Sequence, residues 1–284
     1  MRHEVIVFGL ILLLTTVGIA GAEPPKPLRI IDVHTHPEFE GTGDESAAAF
    51  DAQRKKAGVV FAVGILHSDD GQLPESRASN TIYCAGVRDA PNTSALEQGL
   101  KRRDYRCIKI YLGYTHKYAY DPVYEPVFAL AEKYDVPVIF HTGDTNSKSA
   151  KLKFADPLTI DEVAVDHPRV TFVIAHGGNP WIQSAAEVVY KNPNVYLDGS
   201  AFLVGDVSKL PPDQVEDYMV EPLKWIFGYV ENPEKLMFGS DWPLVDIPAY
   251  VEAFKRAIPR EHWQKVFHDN AVKVFRLKQL EGTQ

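Results

Sequence analysis

The sequence predicts an α/β protein: a single-domain (β/α)8 TIM-like barrel, preceded by an N-terminal signal peptide. Three observations carry this expectation. Eight short runs, most of them apolar and rich in Val, Ile, Phe and Tyr, recur along the chain, with helical segments between most of them. The runs lack clean in–out alternation, as do strands buried on both faces of a parallel sheet. The 262 residues after Ala22 suit such a barrel, for which about 250 is usual. An open doubly wound sheet is the alternative, but no Gly-x-Gly-x-x-Gly follows any predicted strand.

Residues 1–22 read as the signal peptide. Met1-Arg2-His3 is weakly basic, Val5 to Ala20 is almost unbroken apolar sequence, and Ala20-Gly21-Ala22 is a small-x-small cleavage pattern. The apolar run falls short of the ~20 residues of a spanning helix. Export to the periplasm or medium is therefore expected, with a retained membrane anchor as the alternative. Residues 23–28 form an extended Pro-rich linker, and the barrel domain is placed at 29–280.

The predicted strands are Arg29–His36, Val59–Leu66, Thr81–Gly86, Cys107–Gly113, Pro137–Thr142, Val170–His176, Val195–Gly199 and Leu236–Ser240. The clearest helix runs from Asp121 to Tyr134. Asp121 suits its N-cap, Pro122 its first position, and Val123, Val127, Leu130 and Tyr134 recur at helical spacing. Asp156-Pro157 repeats the device, Pro180 opens Trp181–Tyr190, and Pro211-Pro212-Asp213 leads into a helix reaching about Phe227. Pro259 to Leu277 reads as mostly helical. The stretch His67–Asn80 carries little helix signal.

A formal charge of −8 argues against nucleic-acid or acidic-membrane partners. A small-molecule substrate is the expected partner, and the oligomeric state is left open. Lys101-Arg102-Arg103, the one compact basic run, reads as a solvated helix face. Cys84 and Cys107 both fall in predicted strands and are expected to be buried free thiols. Pairing is the alternative in an oxidising compartment.

Parallel barrels place chemistry at the C-terminal strand ends. Strand one ends in His34-Thr35-His36, whose two imidazoles project together. Strand five ends in His141, strand six in His176 and strand eight in Asp241. Four of the ten histidines and one aspartate thus share a rim, which points to a metal site.

These motifs resemble the amidohydrolase superfamily, in its amidohydrolase-related (amidohydrolase 2) branch. The resemblance rests on Ile31-Asp32-Val33-His34-Thr35-His36, Val138 to Gly143, Ile174 to Gly178, Phe238 to Pro243 and Asn270-Ala271. It implies that His34, His36 and His141 are metal ligands. It implies that Asp241 is both a ligand and the acceptor of the attacking water's proton. His176 would be either a ligand of a second metal or an acid/base that polarises substrate. Lys109 would be a ligand only if carbamylated, bridging two ions; otherwise it is an unmodified lysine beside the site. The implied cofactor is one or two divalent ions, Zn²⁺ first.

Other rim residues are weaker candidates. His67 and His116 follow strands two and four; they read more readily as exposed loop histidines than as substrate contacts. Asp198, ending strand seven, and Asp144, after Gly143, are candidates to orient a ligand histidine. Asp32 is read as structural, facing away from the His34/His36 pair. Trp181 and Trp242 are placed equally in a pocket floor or in loop packing. The expected activity is metal-dependent hydrolysis of a small amide, lactone or ester. The alternatives are non-oxidative decarboxylation of a small unsaturated or aromatic acid, for which Arg88 and Lys117 are candidate anion contacts, and a non-catalytic binding barrel.

Overall fold

The computed structural model describes residues 27–38, 46–70 and 72–278. The predicted signal peptide, most of the linker and the last two residues of the predicted domain lie outside the described residues. Eight parallel strands follow in chain order around one sheet: β1 (Ile30–Thr35), β2 (Val59–Ile65), β3 (Thr81–Val87), β4 (Tyr105–Ile110), β5 (Val138–Phe140), β6 (Phe172–Ile174), β7 (Val195–Asp198) and β8 (Leu236–Met237). Each pairs with the next in parallel. The seam between β8 and β1 is joined by Val33 N–H to Phe238 O (3.1 Å), Asp241 N–H to His34 O (2.7 Å) and His36 N–H to Trp242 O (2.7 Å). All eight expected strands form, most of them shorter than the apolar runs that announced them.

The α-helices are α1 (Ala47–Ala57), α2 (Thr93–Arg102), α3 (Leu112–Thr115), α4 (Glu125–Tyr134), α5 (Ile160–Asp166), α6 (Ile182–Lys191), α7 (Pro212–Val215), α8 (Glu221–Val230), α9 (Ile247–Ala257) and α10 (Asn270–Val274). Asp121 caps as expected, its carboxylate accepting from Val123 N–H at 3.1 Å, but the first turn, Pro122–Tyr124, is 3₁₀ and α4 proper starts at Glu125. Among the described residues no helix lies between β2 and β3, as the composition of His67–Asn80 indicated. Among the described residues no helix is long and apolar enough to cross a membrane.

Two apolar layers hold the barrel. The outer one packs the helices on the sheet, with Phe50, Phe128, Phe172, Ile226 and Phe254 fully buried. The inner one fills the barrel with Ile31, Val63, Ile65, Ile139, Val173 and Met237, and is continuous with Ala271, Val274 and Phe275 of the closing helix. Asn270 anchors that helix, its amide donating to Pro233 O (2.7 Å) and Leu236 O (2.8 Å) at the start of β8.

The expectation of free thiols is corrected. Cys84 and Cys107 are register partners on β3 and β4, both fully buried in the inner layer, and they form a disulfide. Spacing along the chain says nothing about such a pair; adjacency of two parallel strands creates it. Closing a loop between cysteines 23 apart in sequence should contribute about 3 kcal/mol through the unfolded state. Denaturant titration with and without reductant should show this difference. Coincident curves after complete reduction would refute it.

Candidate metal centre

The strand ends bring the expected residues together. His34 and His36 leave β1, Lys109 sits near the end of β4, and His141 directly follows β5. His176 follows β6, Asp198 ends β7, and Asp241 lies just beyond β8. A bulge in β1 aims the first pair: Asp32 pairs with Ala62 and Thr35 with Gly64, so three residues of β1 oppose two of β2. Strict alternation would put Asp32, His34 and His36 on one face. Instead Asp32 Oδ1 accepts from the backbone N–H groups of His34 (3.2 Å) and Ser240 (2.9 Å), confirming its structural reading. Burial pushes its carboxyl up to about 6, against those hydrogen bonds.

His176 (φ 60°) and Asp241 (φ 73°) both adopt left-handed backbone, uncommon for side-chain-bearing residues and concentrated at functional sites. Gly143 (φ 82°) permits a close crossing of the loops after β5 and β6, where Asp144 N–H reaches Asn179 O at 2.9 Å. A Cβ at position 143 would meet that carbonyl oxygen at 2.1 Å.

The hydrogen bonds assign the tautomers. His34 Nδ1–H donates to Asp198 Oδ2 at 3.0 Å. His36 Nδ1–H donates to Ile65 O at 3.1 Å. His141 Nε2–H donates to Asp144 O at 2.9 Å. Ser200 Oγ spends its hydrogen on Asp198 Oδ1 at 2.5 Å, so it accepts from His176 Nδ1–H at 2.9 Å. In the neutral ring the remaining nitrogen carries a lone pair. His34 Nε2 and His36 Nε2 lie 3.5 and 3.2 Å from Asp241 Oδ1. His141 Nδ1 and His176 Nε2 lie 3.1 Å apart. Lys109 Nζ is 3.3 Å from His34 Nε2.

The inward nitrogens of His34 and His36 thus meet one carboxylate oxygen, and those of His141 and His176 meet each other; His34, His36 and Asp241 form one cluster of possible ligands and His34, His176 and Asp198 another, with His141 outside both. Asp241 Oδ1 is buried and receives no well-directed hydrogen bond. Lone pairs facing one another repel unless a proton or cation stands between them. The donor set of neutral imidazoles and a carboxylate, each ring tied behind by an oxygen acceptor or hydroxyl, fits a divalent metal ion.

The electrostatics agree. Burial drives the His176 imidazole down to about 3, with the neighbouring His34 adding to the effect. Burial and His176 hold His141 well below the usual histidine range. Burial lowers Lys109 to about 8, partly offset by Asp198 and Asp241. Burial alone would raise Asp198 and Asp241, but the imidazoles beside them outweigh it and keep both carboxyls ionised.

The weaker candidates separate. Asp198 orients His34 as proposed. Asp144 acts on His141 through its carbonyl rather than its carboxylate. His67 stacks on His36, with ring centroids 5.1 Å apart, and its Nδ1 pairs with Glu38. His116 turns outward, bonded to Ser149 O at 2.8 Å. Lys117 Nζ bonds Thr115 O at 3.4 Å. Trp242 packs in the core against Phe50, centroids 4.5 Å apart, and Trp181 sits at the N-terminal end of α6.

Ser200, Glu38 and Tyr114 were not singled out by sequence reasoning. Ser200 lies two residues beyond Asp198, a spacing that could have suggested it. Tyr114, edge-on to His141 at 4.9 Å, is brought in by the single turn of α3 and carried no such signal.

A family model described as amidohydrolase matches residues 31–277. No curated protein sequence matches the chain. Among solved structures, an uncharacterized TIM-barrel protein from Bordetella bronchiseptica is similar, with TM-score 0.65 and 20% identity, covering 88% of this chain and 99% of that one. A probable 2-pyrone-4,6-dicarboxylic acid hydrolase from Acinetobacter baumannii aligns with TM-score 0.61 and 15% identity over 88% of this chain and 100% of its own. A 5-carboxyvanillate decarboxylase from Sphingomonas paucimobilis aligns with TM-score 0.61 and 14% identity over 88% and 99%. These likenesses show the barrel, and with the family match over nearly all the described residues they lead to one conclusion: the chain is an enzyme of the amidohydrolase family.

Proposed function

We propose that this enzyme is a metal-dependent hydrolase of a small amide, lactone or ester. The observation that carries the proposal is the cluster of His34 Nε2 and His36 Nε2 on the buried Asp241 Oδ1, with the His176 ring 4.7 Å from that of His34 and in turn against His141. His34, His36, His141 and Asp241 would hold one divalent ion, with Zn²⁺ preferred by imidazole and carboxylate donors. A bound ion supplies Lewis-acid polarisation of a carbonyl and makes a water acidic enough to ionise near pH 7.

The chain's own groups supply the remaining chemistry. Asp241, ionised beside the imidazoles, accepts the proton of the attacking water and returns it to the leaving group. His176, neutral and fixed by Ser200, presents Nε2 as an acceptor for a substrate proton. Asp198 holds His34 in the tautomer that leaves Nε2 unprotonated. Lys109, unmodified in this proposal, lies beside His34 inside the barrel, its Nζ 3.3 Å from His34 Nε2. The Cys84–Cys107 disulfide supports the proposal that the enzyme works outside the cytoplasm. N-terminal sequencing of the mature protein, expected to start at Glu23, checks that.

Decarboxylation is the second reaction with support. The Arg88 guanidinium lies 5.5 Å from the centre of the Tyr111 ring, beside the His141 ring, and forms no ion pair among the described residues. A cation in that place suits a substrate carboxylate.

Four outcomes are expected. Turnover of lactone, ester and amide panels should release acid without carbon dioxide, and the reverse pattern would establish the lyase. Asp241→Asn should lower kcat by about 10²–10⁴-fold, the usual scale for losing a proton-transfer group; near-wild-type turnover would remove Asp241 from that role. Asp198→Asn should weaken metal affinity about 10–100-fold, read by competition with a chelator. Elemental analysis of the wild-type protein should find close to one equivalent.

A further inference from the structure

A cavity of about 820 Å³ lies at the N-terminal ends of β3 and β4, away from the strand ends that carry the metal centre. Phe61, Ile82 and Tyr83 contribute to its lining, and Arg77, Arg103 and Arg106 line it, the last two from the stretch that joins α2 to β4. Arg77 comes from the helix-free connection, Arg103 from the left-handed cap of α2 (φ 64°), and Arg106 from the start of β4. The carboxylate in the lining, Asp104, is bonded to Arg102 at 2.6 Å. None of the three lining arginines forms an ion pair with a described residue.

This arrangement runs against the rest of the molecule. The chain carries 38 acidic and 30 basic Lys and Arg side chains, yet three guanidinium groups gather here. Arg106 is half-buried, and burial followed by the charge of Arg103 lowers its pKa. Like charges held at one cavity repel, and a multivalent anion would relieve that repulsion. Guanidinium forks match the oxygens of phosphate and carboxylate groups.

We infer that the cavity formed by Arg77, Arg103 and Arg106 is a second ligand site, separate from the metal centre, for a small oxyanion of two or more negative charges. Its chemistry is shared by phosphate groups and by small polycarboxylates. The cavity volume falls in the range of small-ligand pockets. The order β1 to β8 sets this pocket and the metal rim at opposite ends of the same strands, so the two can be occupied together.

Calorimetric titration of the metal-loaded, full-length protein at low salt tests the assignment, with inorganic phosphate and tricarballylate as separate probes. Saturable binding near one equivalent of either probe is expected. Preference between the two distinguishes a phosphate ligand from a polycarboxylate one. Arg106→Gln should weaken binding about tenfold, as loss of a charge-assisted hydrogen bond does. The exposed pair Arg77→Gln and Arg103→Asn should weaken it further without disturbing the fold; Asn suits the left-handed position. Asp241→Asn should leave this binding unchanged. Absence of saturable binding, or binding lost in Asp241→Asn but kept in the arginine variants, would overturn the inference and place the anion at the metal centre.

Discussion

Asp198 is the group on which the metal centre depends. It is fully buried at the end of β7, where an ionised carboxylate is costly unless its oxygens are satisfied. Its Oδ2 takes His34 Nδ1–H, and its Oδ1 takes the backbone N–H groups of His176 and Ser200 as well as the Ser200 hydroxyl. One side chain thereby fixes His34 from β1, His176 from β6 and the turn after β7. Because Ser200 must donate to it, Ser200 can only accept from His176. The tautomers of two rings at the centre follow from the placement of a single carboxylate.

The barrel supplies the conditions for that placement. The same parallel register that aligns β6, β7 and β8 sets Asp198 opposite Met237 and beside His176. Closure at the β8–β1 seam uses backbone bonds of His34, His36 and Asp241 themselves, so the residues that would bind metal also close the fold. Left-handed backbone at His176 and Asp241 is held by these contacts. The inner apolar layer, with the Cys84–Cys107 disulfide in it, lies below and keeps Lys109 away from bulk water.

Function enters through asymmetry between the two ends of the strands. The C-terminal ends concentrate neutral imidazoles and carboxylates, arranged to receive a cation and move a proton. The opposite end lies beside a connection with no helix among its described residues and gathers arginines. Family membership accounts for the first end. The second follows from the short, polar connection between β2 and β3.

Much of this was legible in the amino-acid order. Apolar runs buried on both faces show no alternation, so all eight strands could be read, and Asp121-Pro122 marked a helix start because capping is local chemistry. His34, His36, His141, His176 and Asp241 could be chosen because each ends a strand, and a barrel gathers strand ends. Asp32 could be read as structural, but not for the physical reason: a bulge that appears only when β1 pairs with β2. The disulfide also lay beyond the sequence, because it needs the register of β3 on β4. So did the tautomer of each histidine, set by oxygens from Asp198, Ile65, Asp144 and Ser200. Local sequence determined which elements form and which side chains could bind a metal. Tertiary structure alone decided which nitrogen each ring presents, because that depends on hydrogen bonds made across the closed barrel.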